Sequence, residues 1–156
     1  NLPLIDAPSS RLYLIGETAE STSSNPMDSI FINELPKEAT KMQIPLDDEI
    51  TLEGFKIDKL DFESQKILTM TVFYRVTQKI NAQNQLKFSF EIVNRKIGFE
   101  VPLLPNHYDV TELAPSDIVA RKIDFSFPMM PRHDVLSVKI ATAQSEALIP
   151  MTTIDF

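Results

Sequence analysis

Leu86-Lys87-Phe88-Ser89-Phe90-Glu91-Ile92 places four apolar side chains on one parity and three polar ones on the other. Side chains alternate between the two faces of a strand, so this period of two predicts an antiparallel strand with one face in a core and one in water. The polar parity, Lys87, Ser89 and Glu91, is mixed in charge and carries no aromatic, as expected of plain solvent-facing surface. Immediately downstream, Asn94-Arg95 leads into alternating Ile97, Phe99 and Val101, which predicts a tight hairpin. Upstream, Leu68, Met70, Val72, Tyr74 and Val76 share one parity of a long strand, with Thr69, Thr71, Phe73 and Arg75 on the other. Residues 81–84 are the predicted turn between this strand and 86–92, so the three strands are expected to run as successive neighbours. Phe73 stands out on an otherwise polar parity. Either both faces of its strand are covered or Phe73 marks a contact surface, and coverage is the preferred reading.

The same beat extends in both directions. Ile50 and Leu52 share a parity, and after Gly54 the apolar positions shift by one to Phe55 and Ile57. A phase slip at a glycine within a strand is the mark of a β-bulge. Ile123, Phe125 and Phe127 alternate, as do Leu136, Val138 and Ile140, and residues 147–156 are expected to close the sheet. Short strands are also predicted at 11–16 and 29–33. Residues 17–28 read as a Ser/Thr-rich loop, 37–42 as one helical turn, and 102–117 as a long Pro-punctuated connection. The sum is about eight to ten strands at sandwich spacing. The expected fold is an all-β antiparallel sandwich, immunoglobulin-like or jelly-roll-like, with residues 1–10 as an extended N-terminal arm and 11–156 as one domain.

Composition excludes several functions. The chain has 156 residues, enough for a core without staples. A net charge of −7 disfavours nucleic acid and anionic membrane surfaces, both of which select clustered Lys and Arg. The absence of cysteine removes disulfides and thiolate chemistry without fixing a compartment. No run approaches the roughly 20 apolar residues of a spanning helix, so direct membrane insertion is not expected. Asn1 in place of an initiator Met leads to the expectation of a processed form or an excised piece, with room for attachment to a membrane-anchored parent protein.

Motifs for chemistry are weak. His107 has Asp109 beside it and His133 has Asp134, in two loops; if those loops met, the four side chains could hold a zinc-like ion. Surface histidines near solvated aspartates are the plainer reading, so no metal or other cofactor is expected. Asp47, Asp48 and Glu49, with Glu53, Asp58, Asp61 and Glu63, form the densest acidic stretch, conceivable as calcium ligands but lacking an Asp-x-Asp-x-Asp-Gly loop. Ser116, His107 and Asp109 can be drawn as a triad on paper, yet no Gly-x-Ser-x-Gly turn supports it. Gly16, Gly54 and Gly98 are too scattered for a phosphate loop. A non-catalytic role follows, with no catalytic residue assigned. Among the tyrosines, Tyr74 falls on a core parity, whereas Tyr108 lies in the long loop and is the expected exposed aromatic for a protein or polysaccharide partner.

From about residue 44 to 150, the feature order resembles accessory β-sandwich domains of bacterial envelope proteins, such as those at the C-terminal ends of membrane glycosyltransferases. The resemblance rests on Ile50-Thr51-Leu52-Glu53-Gly54-Phe55, the long strand at 68–76, the alternating 86–92, and Ala114-Pro115-Ser116-Asp117-Ile118-Val119 leading to Ile123-Asp124-Phe125-Ser126-Phe127-Pro128. Where the resembled pattern tends to have Trp, this chain has Tyr74, and in place of Trp-x-Pro-Gly-Glu it reads Leu113-Ala114-Pro115-Ser116-Asp117. The resemblance implies a non-catalytic module outside the cytoplasm (periplasmic, cell-surface or secreted) that contacts a protein or polymer through loops and edge strands. Two further roles remain in view: a carbohydrate-processing or metal-dependent enzyme centred on His107, Asp109, His133 and Asp134, and a structural subunit of a larger assembly.

Overall fold

Nine strands account for more than half of the residues that the computed structural model describes, which are 30–105, 108–131 and 133–156. In chain order they are β1 (Phe31–Ile32), β2 (Thr40–Pro45), β3 (Ile50–Asp61), β4 (Ile67–Val76), β5 (Gln85–Ile92), β6 (Arg95–Pro102), β7 (Ile118–Ser126), β8 (Val135–Thr142) and β9 (Ser145–Asp155). A 3-10 turn, Val110–Glu112, lies in the long connection before β7. The arm at 1–10, the strand expected at 11–16 and the loop at 17–28 lie outside the described residues.

Two antiparallel sheets result. One runs β1-β7-β4-β3-β2 and the other β6-β5-β8-β9. The apolar parity of β5 faces the five-stranded sheet: Leu86, Phe88, Phe90 and Ile92 are buried while Lys87, Ser89 and Glu91 stay half-exposed. Phe125 of β7 meets Phe88 and Phe90 edge-on from the opposite sheet, at ring-centroid distances of 5.0 and 4.8 Å. Phe62 closes one end of the sandwich against Phe127 and Phe156. Each Phe driven from water contributes roughly 1.5–3 kcal/mol, and edge-to-face pairing adds about 0.5–1.5 kcal/mol.

Three expectations change. The strand at 67–76 and the strand at 85–92 are not neighbours; β4 and β5 belong to opposite sheets. The turn at 81–84 does form, with Asn84 N–H donating to Asn81 O at 3.0 Å. It lies on a crossover anchored by Ile80, which is buried in the core. Alternation tells which side chains face inward, but both sheets of a sandwich face inward. Residues 37–42 form no helical turn: Ala39 N–H closes a turn on Pro36 O and β2 begins at Thr40. The strand expected at 29–33 shortens to the two residues of β1.

Gly54 sits at the expected bulge, where the β3–β4 register shifts between Leu52 and Gly54. A Cβ there would lie 2.4 Å from Thr40 O and 2.8 Å from Leu35 Cδ2, so only glycine admits this close approach. Leu35 belongs to the connection from β1 to β2, strands on opposite edges of the same sheet. This connection therefore straps the outer face of the sheet. Phe73, paired across from Gly54, is 2% exposed. Both faces of β4 are therefore covered, and Phe73 keeps only a sliver of surface, at the bottom of a groove on the outer face.

Candidate functional site

Of the two histidine–aspartate pairs, Asp109 and the His133–Asp134 pair do not come together. Asp109 lies at the end of the sandwich where β5 begins, lining a small cleft with Gln83, Asn84 and Gln85. His133 and Asp134 precede β8, whose first residues pair with Ile92 at the far end of β5. Six residue steps separate the two ends, roughly 20 Å. Asp109 instead caps the 3-10 turn: its Oδ1 accepts from Thr111 Oγ1 at 2.6 Å and Thr111 N–H at 2.9 Å. The Thr111 hydroxyl first, and its backbone N–H second, hold Asp109 below the usual carboxylate range. Asp134 accepts from Val135 N–H. His107 lies outside the described residues, and among those described no cluster of His, Asp and Glu has metal-binding geometry.

Ser116 is a turn residue. Asp117 N–H donates to Ala114 O at 3.0 Å, Pro115 stands second in the turn, and Ser116 third with φ 78°. That is the signature of a type II turn, which usually has glycine at the third position. Tyr108 is half-buried and packs against the core, not the exposed aromatic its loop position suggested. Tyr74 is fully buried, and its hydroxyl donates to Leu103 O at 2.7 Å. Burial pushes its phenol well above the ordinary value, opposed by the Arg121 charge.

The acidic stretch at 47–49 serves the fold. Asp47 Oδ1 accepts from the backbone of Glu49 and Ile50, and Asp47 Oδ2 from Asn84 Nδ2 and Thr142 Oγ1. Glu49 Oε2 accepts from Asn84 Nδ2 at 2.6 Å, and its Oε1 from Asn81 N–H at 2.7 Å. Glu49, Asn84 and Thr142 are buried. The network ties the β2–β3 turn to the crossover before β5 and to the end of β8. Asp47 thus engages both carboxylate oxygens with two donors each, and each Glu49 carboxylate oxygen accepts one, so these two side chains serve as internal ties of the fold.

A groove remains on the outer face of the five-stranded sheet, with a volume of about 490 Å³. Thr71 and Phe73 of β4 and Ala120 of β7 form its floor, and Ile30, Ile32 and Pro36 flank it. The charged residues lining it are all cationic: Lys56, Arg121 and Lys122. The register explains the grouping, since Lys56 stands across from Thr71 and Thr71 across from Lys122, one row over three strands. Lys56 is partly balanced by Asp58 at 3.4 Å and Glu38 at 3.8 Å. Lys122 is exposed and has no ion pair among the described residues. Arg121 is held by two carbonyls, Pro102 O at 3.1 Å and Lys122 O at 2.8 Å, and burial lowers its guanidinium from the ordinary value.

Along the same rim, β7 is only partly covered. Its outer edge pairs with β1 at Ile118 and Val119, and Ala120 N–H donates to Ile30 O. From Lys122 to Ser126 that edge has no strand partner among the described residues. Sequence alone missed the groove. The polar parities were legible, but the row of Lys56, Thr71 and Lys122 exists only through strand order. Compared with protein-family models, curated proteins and solved structures, the chain finds no match.

Proposed function

We propose that this domain is a non-catalytic interaction module of a bacterial envelope or secreted protein, docking an extended acidic segment of a protein partner across the outer face of the five-stranded sheet. The observation that carries the reading is the groove over Phe73, where an apolar floor, three cationic side chains and a strand edge without a partner among the described residues lie side by side. An extended peptide gains main-chain hydrogen bonds from such an edge and side-chain selectivity from the adjoining pocket. Complementary charge steers the encounter and suppresses wrong partners.

The extracytoplasmic setting rests on the resemblance to envelope accessory domains, and the connectivity supports the immunoglobulin-like form of it. With β3 to β9 lettered A to G, the sheets read E-B-A and D-C-F-G. This departs from constant-type immunoglobulin order only in the sheet that takes the fourth strand. The separation of Asp109 from His133 and Asp134 weighs against one enzymatic centre built from both loops.

Calorimetric titration with a Glu-rich decapeptide tests the function. Binding that weakens about tenfold in Lys122→Glu, and that falls with salt, is the expected result. An acidic oligosaccharide such as oligogalacturonate serves as the comparison ligand. Binding to the oligosaccharide alone would assign the groove to a polymer and overturn the protein-partner reading, as would peptide binding indifferent to Lys122→Glu.

A further inference from the structure

We infer that the outer edge of β6 pairs with the same edge of a second copy of this chain, antiparallel about a two-fold axis at Gly98, which joins two four-stranded sheets into one. The inference is independent of the docking reading and concerns the other sheet. Strand β6 ends that sheet and has no partner beyond it among the described residues. It pairs with β5 from Arg95 to Pro102 without a register shift. The other end strands are blunted: β1 has two residues, and β2 and β9 pair with register shifts. Short and bulged edges resist a further strand, whereas a regular one accepts it.

Backbone direction fixes which groups of β6 face outward. Ala143 N–H donates to Gln85 O at 3.0 Å, so Gln85 and every second residue after it turn their N–H and C=O groups to β8. Leu86, Phe88, Phe90 and Ile92 turn theirs to β6, where they meet Val101, Phe99, Ile97 and Arg95. The main-chain groups of Lys96, Gly98 and Glu100 therefore point to the open edge. Pro102 ends the row, with no N–H to donate and its carbonyl accepting from Arg121 Nε at 3.1 Å. Setting Gly98 against Gly98 of the second copy puts Lys96 opposite Glu100 of the second copy. Each of these pairs exchanges both of its main-chain hydrogen bonds.

Side chains select that register. Lys96 stands across from Glu91 within the sheet, and Glu100 across from Lys87. The joined sheet thus carries a row of alternating sign: Glu91, Lys96, then Glu100 and Lys87 of the second copy. On the inner parity, half-buried Ile97 meets half-buried Phe99 of the second copy. Moving the axis to Lys96 or to Glu100 would set like charges directly opposite, which is destabilising. Centring it on Ile97 or Phe99 leaves neither charge opposite the other. Charges that guard a lone edge against indiscriminate pairing here specify one partner, the same edge of another copy.

The chain has no cysteine, so one introduced thiol reports the register. A Cβ at Gly98 would meet Phe88 O at 3.9 Å, an ordinary contact, so Gly98→Cys fits the strand. Residues directly opposite in a hydrogen-bonded pair stand about 5.5 Å apart at Cα, within disulfide range. Under mild oxidation Gly98→Cys is expected to give a covalent dimer. Lys96→Cys is expected to stay monomeric, because its two thiols would lie about 13 Å apart along the strands. No dimer from Gly98→Cys, or equal yields from the two variants, overturns the inference. Sedimentation equilibrium of the unaltered chain should show a monomer–dimer equilibrium. Lys96→Glu should weaken it about tenfold, since the two-fold repeats each reversed pair. A chain that stays monomeric at every concentration, or a dimer indifferent to Lys96→Glu, also overturns it. Peptide titration of the Gly98→Cys dimer keeps the two readings apart, because covalent pairing without peptide binding would sink the docking function alone.

Discussion

Replacing Asn84 by Ala removes the hub of the buried network at the β2–β3 turn. The Asn84 amide donates to Glu49 Oε2 at 2.6 Å and to Asp47 Oδ2 at 3.1 Å, and its oxygen accepts from Gln85 N–H at 3.0 Å. Hydrogen bonds to charged groups contribute about 1.5–3 kcal/mol each, and the longer of these two belongs at the low end. Glu49, 8% exposed, would keep only the bond from Asn81 N–H, and its stranded oxygen adds to the loss. The expected destabilisation is about 3–5 kcal/mol, a large part of the roughly 5–15 kcal/mol available to a domain. Equilibrium urea unfolding followed by circular dichroism reads this directly. With a slope of about 2 kcal/mol per molar, the midpoint falls by about 2 M. Thr142→Val removes one bond to the same Asp47 oxygen and should cost about 1.5–2 kcal/mol. Because both residues share Asp47 Oδ2, the double variant should depart from additivity by at least about 0.5 kcal/mol. A loss below about 1 kcal/mol for Asn84→Ala, or strict additivity with Thr142→Val, would refute the view that these bonds act as one network.

Two further outcomes follow from backbone strain and from burial. Val93, in the β5–β6 turn, is 65% exposed and has φ 52°, a conformation costly for a β-branched residue. Val93→Gly should therefore raise stability by about 1 kcal/mol in thermal or urea melts. The Tyr74 phenol is raised in the folded state, so the unfolded chain ionises first. Its contribution is fully present below the unfolded phenol value of about 10 and is lost as pH rises above it. Tyr74→Phe should flatten the alkaline fall in stability, at the expense of the hydrogen bond to Leu103 O at neutral pH.

Period-two alternation was enough to place the core face of β5, the buried parity of β4 and the bulge at Gly54, because these depend on local backbone geometry. The all-β class follows from the same beat, although it did not show β2, which lies where a helical turn was expected. Local pattern could not tell that β4 and β5 lie in different sheets, since an inward parity looks identical in either layer. Nor could it read the acidic stretch at 47–49, whose carboxylates find their donors in Asn84 and Thr142, 35 to 95 positions away. The histidine–aspartate pairs look alike along the chain, yet strand direction sends Asp109 and His133 to opposite ends. The groove is the clearest case. Lys56, Thr71 and Lys122 are ordinary polar-parity residues in sequence, and only the β3-β4-β7 register sets them in one row. Hydrophobic periodicity is a property of neighbours along the chain and is written there. Sheet membership and register are won by long-range packing, and the tertiary structure alone decides them.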